Sequence, residues 1–284
     1  MSATNPSIKN CLTIDWEDWF HICEVDHLLP RHEWDSYPSI LPEATAAILD
    51  FLAAHRTRAT FFILGYAARR HPHLVERIAR AGHEIAYHSD SHQLLYEQTP
   101  EAFADDLRQG RRLLAELCGC QVKGFRAPQW SLNQKTPWAV DLLLRHGFCY
   151  DSSHAPMPII GDPAFPEVAH RLAGTTVTGE LWELPPMVLK LAGLKVPAGG
   201  GWGLRTWPMA LILAKARALN RQGSPATFFL HPVDFTNHRY DRALPLVKRA
   251  VLSYGLRRPR RSLELLMDHL EFTTIEECLE NLQS

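Results

Sequence analysis

The stretch HEIAYHSDSH, His83 to His92, places three histidines and one aspartate in ten residues. Its apolar centre reads as a strand, with His88 at the strand's end and His92 in the turn that leaves it. Two neutral imidazoles joined by a carboxylate make a facial site for a divalent ion of the zinc type, with positions left open for water or substrate. An isolated HxxxH pair would be read as two solvated surface histidines. A source of carboxylate changes that balance: Asp15, Glu17 and Asp18 follow or end the strand-like CLTIDW. Asp15 lies inside the apolar run, where a charge needs compensation. Asp90, between the histidines, is a candidate to support a metal ligand from outside or to cap the next turn.

Strand-like and helix-like segments alternate around these residues. Residues 11–16, 58–64, 83–88, 122–128, 148–153 and 226–230 read as strands. Residues 42–55, 71–82, 100–117, 137–147 and 208–222 read as helices. Pro72 suits a first turn and Gly82 a left-handed stop, while Thr99 caps a helix that Pro100 opens. The tail from Arg261 reads as helix, short strand, helix. Near-continuous apolar strands between amphipathic helices predict an α/β fold, a mainly parallel sheet covered by helices. In such folds side chains that do chemistry gather at the C-terminal strand ends. The polar residues Asp15, Glu17, Asp18, His88, His92, Arg126, Asp151 and His231 all fall there.

The 284 residues suffice for one large domain or two small ones. The Pro- and Gly-rich middle, about 156–203, reads as a linker, a lid or a hairpin insertion, and AGGGWG (198–203) within it as a flexible lid or a turn. A formal net charge of −1 argues against a nucleic-acid partner. RRPRR (257–261) reads as a solvated loop. The polar start shows no signal peptide, and no apolar run approaches a membrane span, so no integral membrane segment and a cytoplasmic location are expected. Six scattered cysteines without a CxxC pair read as buried thiols, with Cys118-Gly-Cys120 as the one redox-capable spacing. Oligomeric state has no signature in the sequence.

ATFFILGYAARRHPHLVERIARAGHEIAYHSDSH is similar to the core of the polysaccharide deacetylases of carbohydrate esterase family 4, including an H-S/T-x-x-H metal motif. FRAPQW resembles that family's R-x-P motif and FFLHP its Leu-His motif. LTIDWEDWF and LWELPP…PAGGGWG…ATFFLHPVDF further resemble a subgroup from exosortase-linked exopolysaccharide clusters. The resemblance covers nearly the whole chain. It implies one domain over 1–284, a distorted, incomplete (β/α) barrel with mainly parallel strands, and residues 156–284 as a subgroup-specific part completing it. It also implies a divalent metal, most simply Zn²⁺, and removal of acetyl groups from an amino-sugar polysaccharide, oligosaccharide or lipid-linked precursor.

On that resemblance Asp15 matches the general base, and His88 and His92 hold the ion with one carboxylate. The family's two adjacent aspartates are replaced here by Asp15-Trp16-Glu17-Asp18. Glu17 shares a strand face with Asp15 and is the preferred ligand; Asp18 takes its place if the strand has ended. Arg126 would keep Asp15 ionised, His231 would protonate the leaving amine, and Asp151 would orient His231. The metal would polarise the acetyl carbonyl and acidify water. A backbone N–H near Trp130 or Asp18 is a candidate oxyanion donor. Trp16, Trp19, Trp130 and Trp202 are candidates for sugar stacking or for core. Two rivals use the same scaffold: a hydrolase of another amide, such as a deformylase, and a non-catalytic glycan-binding protein.

Overall fold

The computed structural model describes residues 8–22, 27–158, 160–238, 244–256 and 258–283. The strands are β1 (Asn10–Trp16), β2 (Thr60–Ile63), β3 (Glu84–Tyr87), β4 (Gly124–Phe125), β5 (Tyr150–Asp151), β6 (His170–Ala173), β7 (Glu180–Glu183), β8 (Val188–Leu191), β9 (Leu194–Pro197), β10 (Thr227–Leu230) and β11 (Phe272–Thr273). The helices are α1 (Leu41–Ala54), α2 (Gly65–Arg70), α3 (Pro72–Arg80), α4 (Pro100–Cys118), α5 (Ala139–Arg145), α6 (Gly201–Thr206), α7 (Met209–Arg221), α8 (Leu246–Ser253), α9 (Arg258–Met267) and α10 (Ile275–Gln283).

The main sheet runs β10-β1-β2-β3-β4-β5-β7-β6, with β11 also on β1. Every pairing is parallel except β6 with β7. β1, β2 and β10 are buried at every position, as strands covered on both faces must be. Residues 184–187 carry the chain from one sheet edge to the other. The Leu184 amide donates to Asp151 O beside β5, and the Met187 amide donates to Thr227 O on β10. This bent segment crosses the open side of the curled, mainly parallel sheet, giving the distorted, incomplete (β/α) barrel that the family resemblance implies.

Local chemistry accounts for the helix ends. Thr99 Oγ1 accepts the Ala102 amide at 3.2 Å, and Pro100 occupies the first turn of α4. Gly119, at φ 68°, ends α4 in the left-handed region. Phe103, Leu107, Gly110 and Leu114 form its buried face. Gly110 is there because the Tyr87 ring lies where a Cβ would stand, 1.9 Å from the nearest ring atom.

Several expectations are corrected. Of residues 122–128 only Gly124 and Phe125 form strand, because the Arg126 side chain turns into the interior and Pro128 has no amide to donate. A short helix, α2, precedes α3 where the sequence showed only the approach to one helix. The middle segment supplies β6 to β9, with β8 and β9 forming a hairpin. Residues 198–203 are neither lid nor turn alone: Gly199 and Gly200 lie along β10 and α6 begins at Gly201, held by the Phe229 amide donating to Gly199 O at 3.0 Å. The Phe229 ring fills the space a Cβ on Gly200 would need. Residues 258–261 open α9 instead of forming a loop, while Arg257 lies outside the described residues. Cys11 and Cys278 are buried, but Cys120 and Cys149 are exposed and Cys118 half-buried, since all three sit at element ends; Cys23 lies outside the described residues.

Candidate active site

Parallel register brings the chemical residues to one mouth of the barrel. Asp15 pairs with Phe62 across β1 and β2, Ile63 with Tyr87 across β2 and β3, and Tyr87 with Phe125 across β3 and β4. Ile14 pairs with Leu230 on the other side. The residues just beyond these pairs, Glu17, His88, Arg126 and His231, therefore converge.

Glu17, His88 and His92 offer ligand atoms that all lie within 4.8 Å of one another, close enough to share one ion. Glu17 Oε2 and His92 Nε2 are 2.9 Å apart, yet Glu17 Oε2 is buried and accepts no hydrogen bond. A cation set among them would take one ligand atom from each of the three residues. His88 Nδ1 donates to Arg126 O at 2.7 Å, which leaves Nε2 as its ligand atom. Burial pushes His88 down to about 4, against the pull of Asp15, so its ring is neutral and able to bind a cation. The residues present thus fit a divalent ion.

Asp18 is placed elsewhere. Its carboxylate accepts the Ile40 amide at 2.9 Å, and burial raises its pKa despite that bond and one from Ser39. Asp90 pairs with Arg69 through two bonds of 2.5 and 2.9 Å, tying the histidine turn to α2.

Asp15 and Arg126 form a buried pair. Arg126 Nη1 donates to Asp15 Oδ1 at 2.5 Å and to Thr13 Oγ1 at 2.8 Å. Its Nη2 donates to Ser152 Oγ at 2.8 Å, and its guanidinium lies 4.1 Å from the Phe62 ring centroid. Burial would raise the Asp15 carboxyl, but Arg126, then His88 and His231, outweigh it and hold it below the usual range. Its second oxygen, Oδ2, lies 3.9 Å from His231 Nε2. His231 Nε2 is 3.6 Å from Glu17 Oε1.

Beside His231 the structure puts Asp234, which the sequence reading passed over. Asp234 Oδ2 accepts the His231 amide at 3.0 Å and lies 4.0 Å from His231 Nδ1. Asp151 instead accepts Ser153 Oγ at 2.6 Å, and Ser153 Oγ in turn accepts the Ala127 amide at 2.8 Å. Asp151 thereby braces the turn after Arg126. Burial, and then the neighbouring Asp151 carboxylate, push the Glu183 pKa well up.

A second unanticipated residue is His21, buried among aromatic rings. Its Nδ1 accepts the Asp18 amide at 2.9 Å, and burial pushes its pKa well down. The neutral ring therefore carries its proton on Nε2, a buried atom with no hydrogen-bond partner among the described residues. The Asp18 and Trp130 amides proposed for an oxyanion are both engaged, the former by His21 and the latter by Ala127 O.

These groups line one cavity of about 680 Å³, within the range of small-molecule sites. Trp130 and Trp202 lie on its wall; Trp16 is core, and Trp19 is largely buried with one side on the cavity. Non-glycine residues with left-handed φ cluster around it: Ser89 and His92 in one turn, Gln129 and Trp130 in another. Such strain persists where surrounding structure enforces a functional geometry.

Residues 33–147 match the polysaccharide deacetylase family, and residues 152–280 match a domain of unknown function, DUF3473. A peptidoglycan-N-acetylglucosamine deacetylase of Bacillus cereus is 35% identical over 100 residues, 35% of this chain and 36% of that protein. A chitooligosaccharide deacetylase of Rhizobium leguminosarum bv. trifolii is 39% identical over 77 residues, 27% of this chain and 36% of that protein. The chain thus spans little more than a third of these curated relatives. The crystal structure of a protein from Mycobacterium smegmatis described as a polysaccharide deacetylase superposes with a TM-score of 0.64 at 24% identity, covering 98% of this chain and 92% of that one. Among the described residues no helix is long and apolar enough to cross a membrane.

Proposed function

Because residues 33–147 belong to the polysaccharide deacetylase family, we propose that this chain is a metal-dependent hydrolase that removes N-acetyl groups from an amino-sugar polysaccharide or its lipid-linked precursor. The observation that carries the reading is the Glu17, His88, His92 cluster, whose ligand atoms all lie within 4.8 Å of one another. Zn²⁺ is the ion that best suits two imidazoles and one carboxylate.

Bound there, the ion would supply Lewis acidity to the acetyl carbonyl and to water. Asp15, held ionised by Arg126, accepts the proton of the attacking water. His231, on the facing side of the cluster, delivers a proton to the amine as the C–N bond breaks. Asp234 fixes the backbone and the ring of His231. Asp151 acts at one remove, through Ser153 and the turn that carries Arg126. The hydrolysis consumes one water and yields acetate and a free amine.

The two matched regions serve as one unit in this reading, since β10 and its His231 come from the second and the histidine pair from the first. The described cysteines are all free thiols, which favours a reducing, cytoplasmic setting, and a role in exopolysaccharide synthesis fits the substrate class.

The test combines elemental analysis with acetate release from N-acetylglucosamine oligomers. The parent should hold about one zinc per chain. His88→Ala and Glu17→Gln should lose the ion and all turnover, whereas Asp18→Asn should keep the ion. Full metal content in Glu17→Gln, or no acetate from the zinc-loaded parent on any N-acetylated sugar, would defeat the proposal.

A further inference from the structure

The cavity that holds the metal cluster extends beyond it into an arm with a different character. Its walls are Ile22, Val196, Trp202, Val251, Leu252 and Leu256, with almost nothing polar among them. A polysaccharide running through a site needs hydroxyl partners along its length. This arm offers hydrocarbon instead.

One polar group stands in that stretch. Arg205, in the last turn of α6, lines the cavity and is only 9% exposed. Its Nη1 donates to Leu252 O at 3.1 Å, while its Nε is buried and has no hydrogen-bond partner. Among the described residues no carboxylate lies within ion-pair distance of it, although Asp234 is close enough to feel its charge. A buried guanidinium with no carboxylate in direct contact and an unsatisfied Nε is costly, and an anion bound there would relieve that cost. Arg205 is also well placed along the cavity. Gly201, one turn earlier on α6, packs against the Asp234 carboxylate that holds His231. Arg205 thus meets both parts of the lining: its charge reaches Asp234 beside His231, and its Nη1 holds Leu252 O of the hydrocarbon wall. The wall reaches the surface at Val251, which is 47% exposed, and continues along α8 to Leu246 and Val247.

We propose that the substrate is an amphiphile: an N-acetylated amino sugar joined through phosphate to a long hydrocarbon chain. Its amide lies at the metal cluster, its phosphate on Arg205, and its chain in the apolar arm beneath α8. This rests on the hydrolase reading and chooses the lipid-linked precursor over the finished polymer. Arg–phosphate contacts are charge-assisted and bidentate in favourable cases, which suits a lone guanidinium at the neck of an apolar channel.

The test has a binding arm and a kinetic arm, both on the zinc-loaded full chain. Calorimetry compares farnesyl phosphate, kept below its micelle concentration, with farnesol and with inorganic phosphate. Farnesyl phosphate should bind at least about tenfold more tightly than either. Arg205→Gln should remove that gain, Arg205→Lys should recover part of it, and Val251→Asp should weaken the chain's contribution. Equal binding of farnesyl phosphate by the parent and Arg205→Gln would overturn the proposal, because the metal ligands are intact in both. In the kinetic arm, Arg205→Gln should lower kcat/KM for N-acetylglucosaminyl farnesyl diphosphate by about tenfold to a hundredfold and leave a neutral N-acetylglucosamine oligomer unchanged. Equal losses on both substrates would make Arg205 a support for Asp234 and sink the proposal. Absence of acetate from either substrate would refute the hydrolase reading, and the binding arm would still decide whether the arm takes a lipid phosphate.

Discussion

Replacing Arg126 by methionine tests the electrostatic centre of the site. Arg126 is 1% exposed and Asp15 4%, so neither charge can turn to water when its partner is removed. Methionine roughly preserves the length of the side chain and its contact with Phe62, which isolates the loss of charge from the loss of packing. Breaking a buried ion pair by removing one member costs about 3–5 kcal/mol, because the other charge is left uncompensated. For a chain of this size each kcal/mol moves Tm by roughly 2–4 °C, so Arg126→Met should melt about 6–20 °C below the parent. The assay is thermal unfolding followed by circular dichroism in the presence of a chelator, so that no bound cation substitutes for the missing guanidinium. The decisive comparison is Asp15→Asn with Arg126→Met in one chain. If the cost is the stranded carboxylate, the double variant should recover about half of the loss, giving a large coupling between the two sites. A double variant less stable than Arg126→Met, with the two losses simply adding, would refute the reasoning. Arg126 would then be stabilising the fold through Ser152 and Thr13 alone.

Two further outcomes follow from the geometry. Asp234→Asn keeps an acceptor for the His231 amide but removes the charge beside the ring, so kcat should fall about tenfold to a hundredfold with KM little changed; a change confined to KM would place Asp234 on substrate instead of on His231. Asp106 is pushed up to about 7 by burial, with Tyr87 Oη donating to it at 2.6 Å and Asp90 nearby. Its folded pKa lies above the unfolded value of about 3.9, so its contribution to stability is full below that value and is lost as pH rises through about 7. Asp106→Asn should therefore flatten the dependence of unfolding free energy on pH between those limits, as read by denaturant titration; an unchanged slope would exclude Asp106 as its source.

What could be read from the sequence divides along a physical line. Strands β1, β2, β3 and β10, the Thr99 cap and the convergence of Asp15, His88, Arg126 and His231 were legible because each depends on local periodicity plus one rule about strand ends. Glu17 was expected over Asp18 from strand alternation, but β1 ends at Trp16 and the Glu17 amide turns back onto Asp15 O, so it is this turn that brings Glu17 to the histidines. Asp234 was missed, although a short acidic side chain three residues after the strand-ending His231 is the spacing of a capping box, and that signal was available. Asp151 was given a role at His231 because chain order says only that it ends a strand; which neighbour it meets depends on β7 pairing with β5, a contact between distant residues. Arg205 and α6 were hidden in AGGGWG for the same reason. Those glycines reflect close approach to Phe229 and Asp234, and nothing local distinguishes that from mobility.

The distribution of the site along the chain bears on how it works. Asp15 lies on β1 and Glu17 just beyond its end, both before the stretch that matches the polysaccharide deacetylase family begins at residue 33. His88, His92 and Arg126 fall inside that stretch. His231, Asp234 and Arg205 fall inside the part that matches the domain of unknown function. No one of these segments holds all the groups that the proposed hydrolysis uses. They are assembled by the register of β10, β1, β2, β3 and β4, in which a slip of one residue would turn every side chain to the opposite face. The continuous burial of β1, β2 and β10 therefore has a chemical consequence: core packing that forbids slippage is what holds His231 within 4 Å of both Asp15 and Glu17. The second matched region adds to this more than barrel closure. In the proposed reaction it would contribute the proton donor His231, Asp234 beside it, and much of the cavity wall.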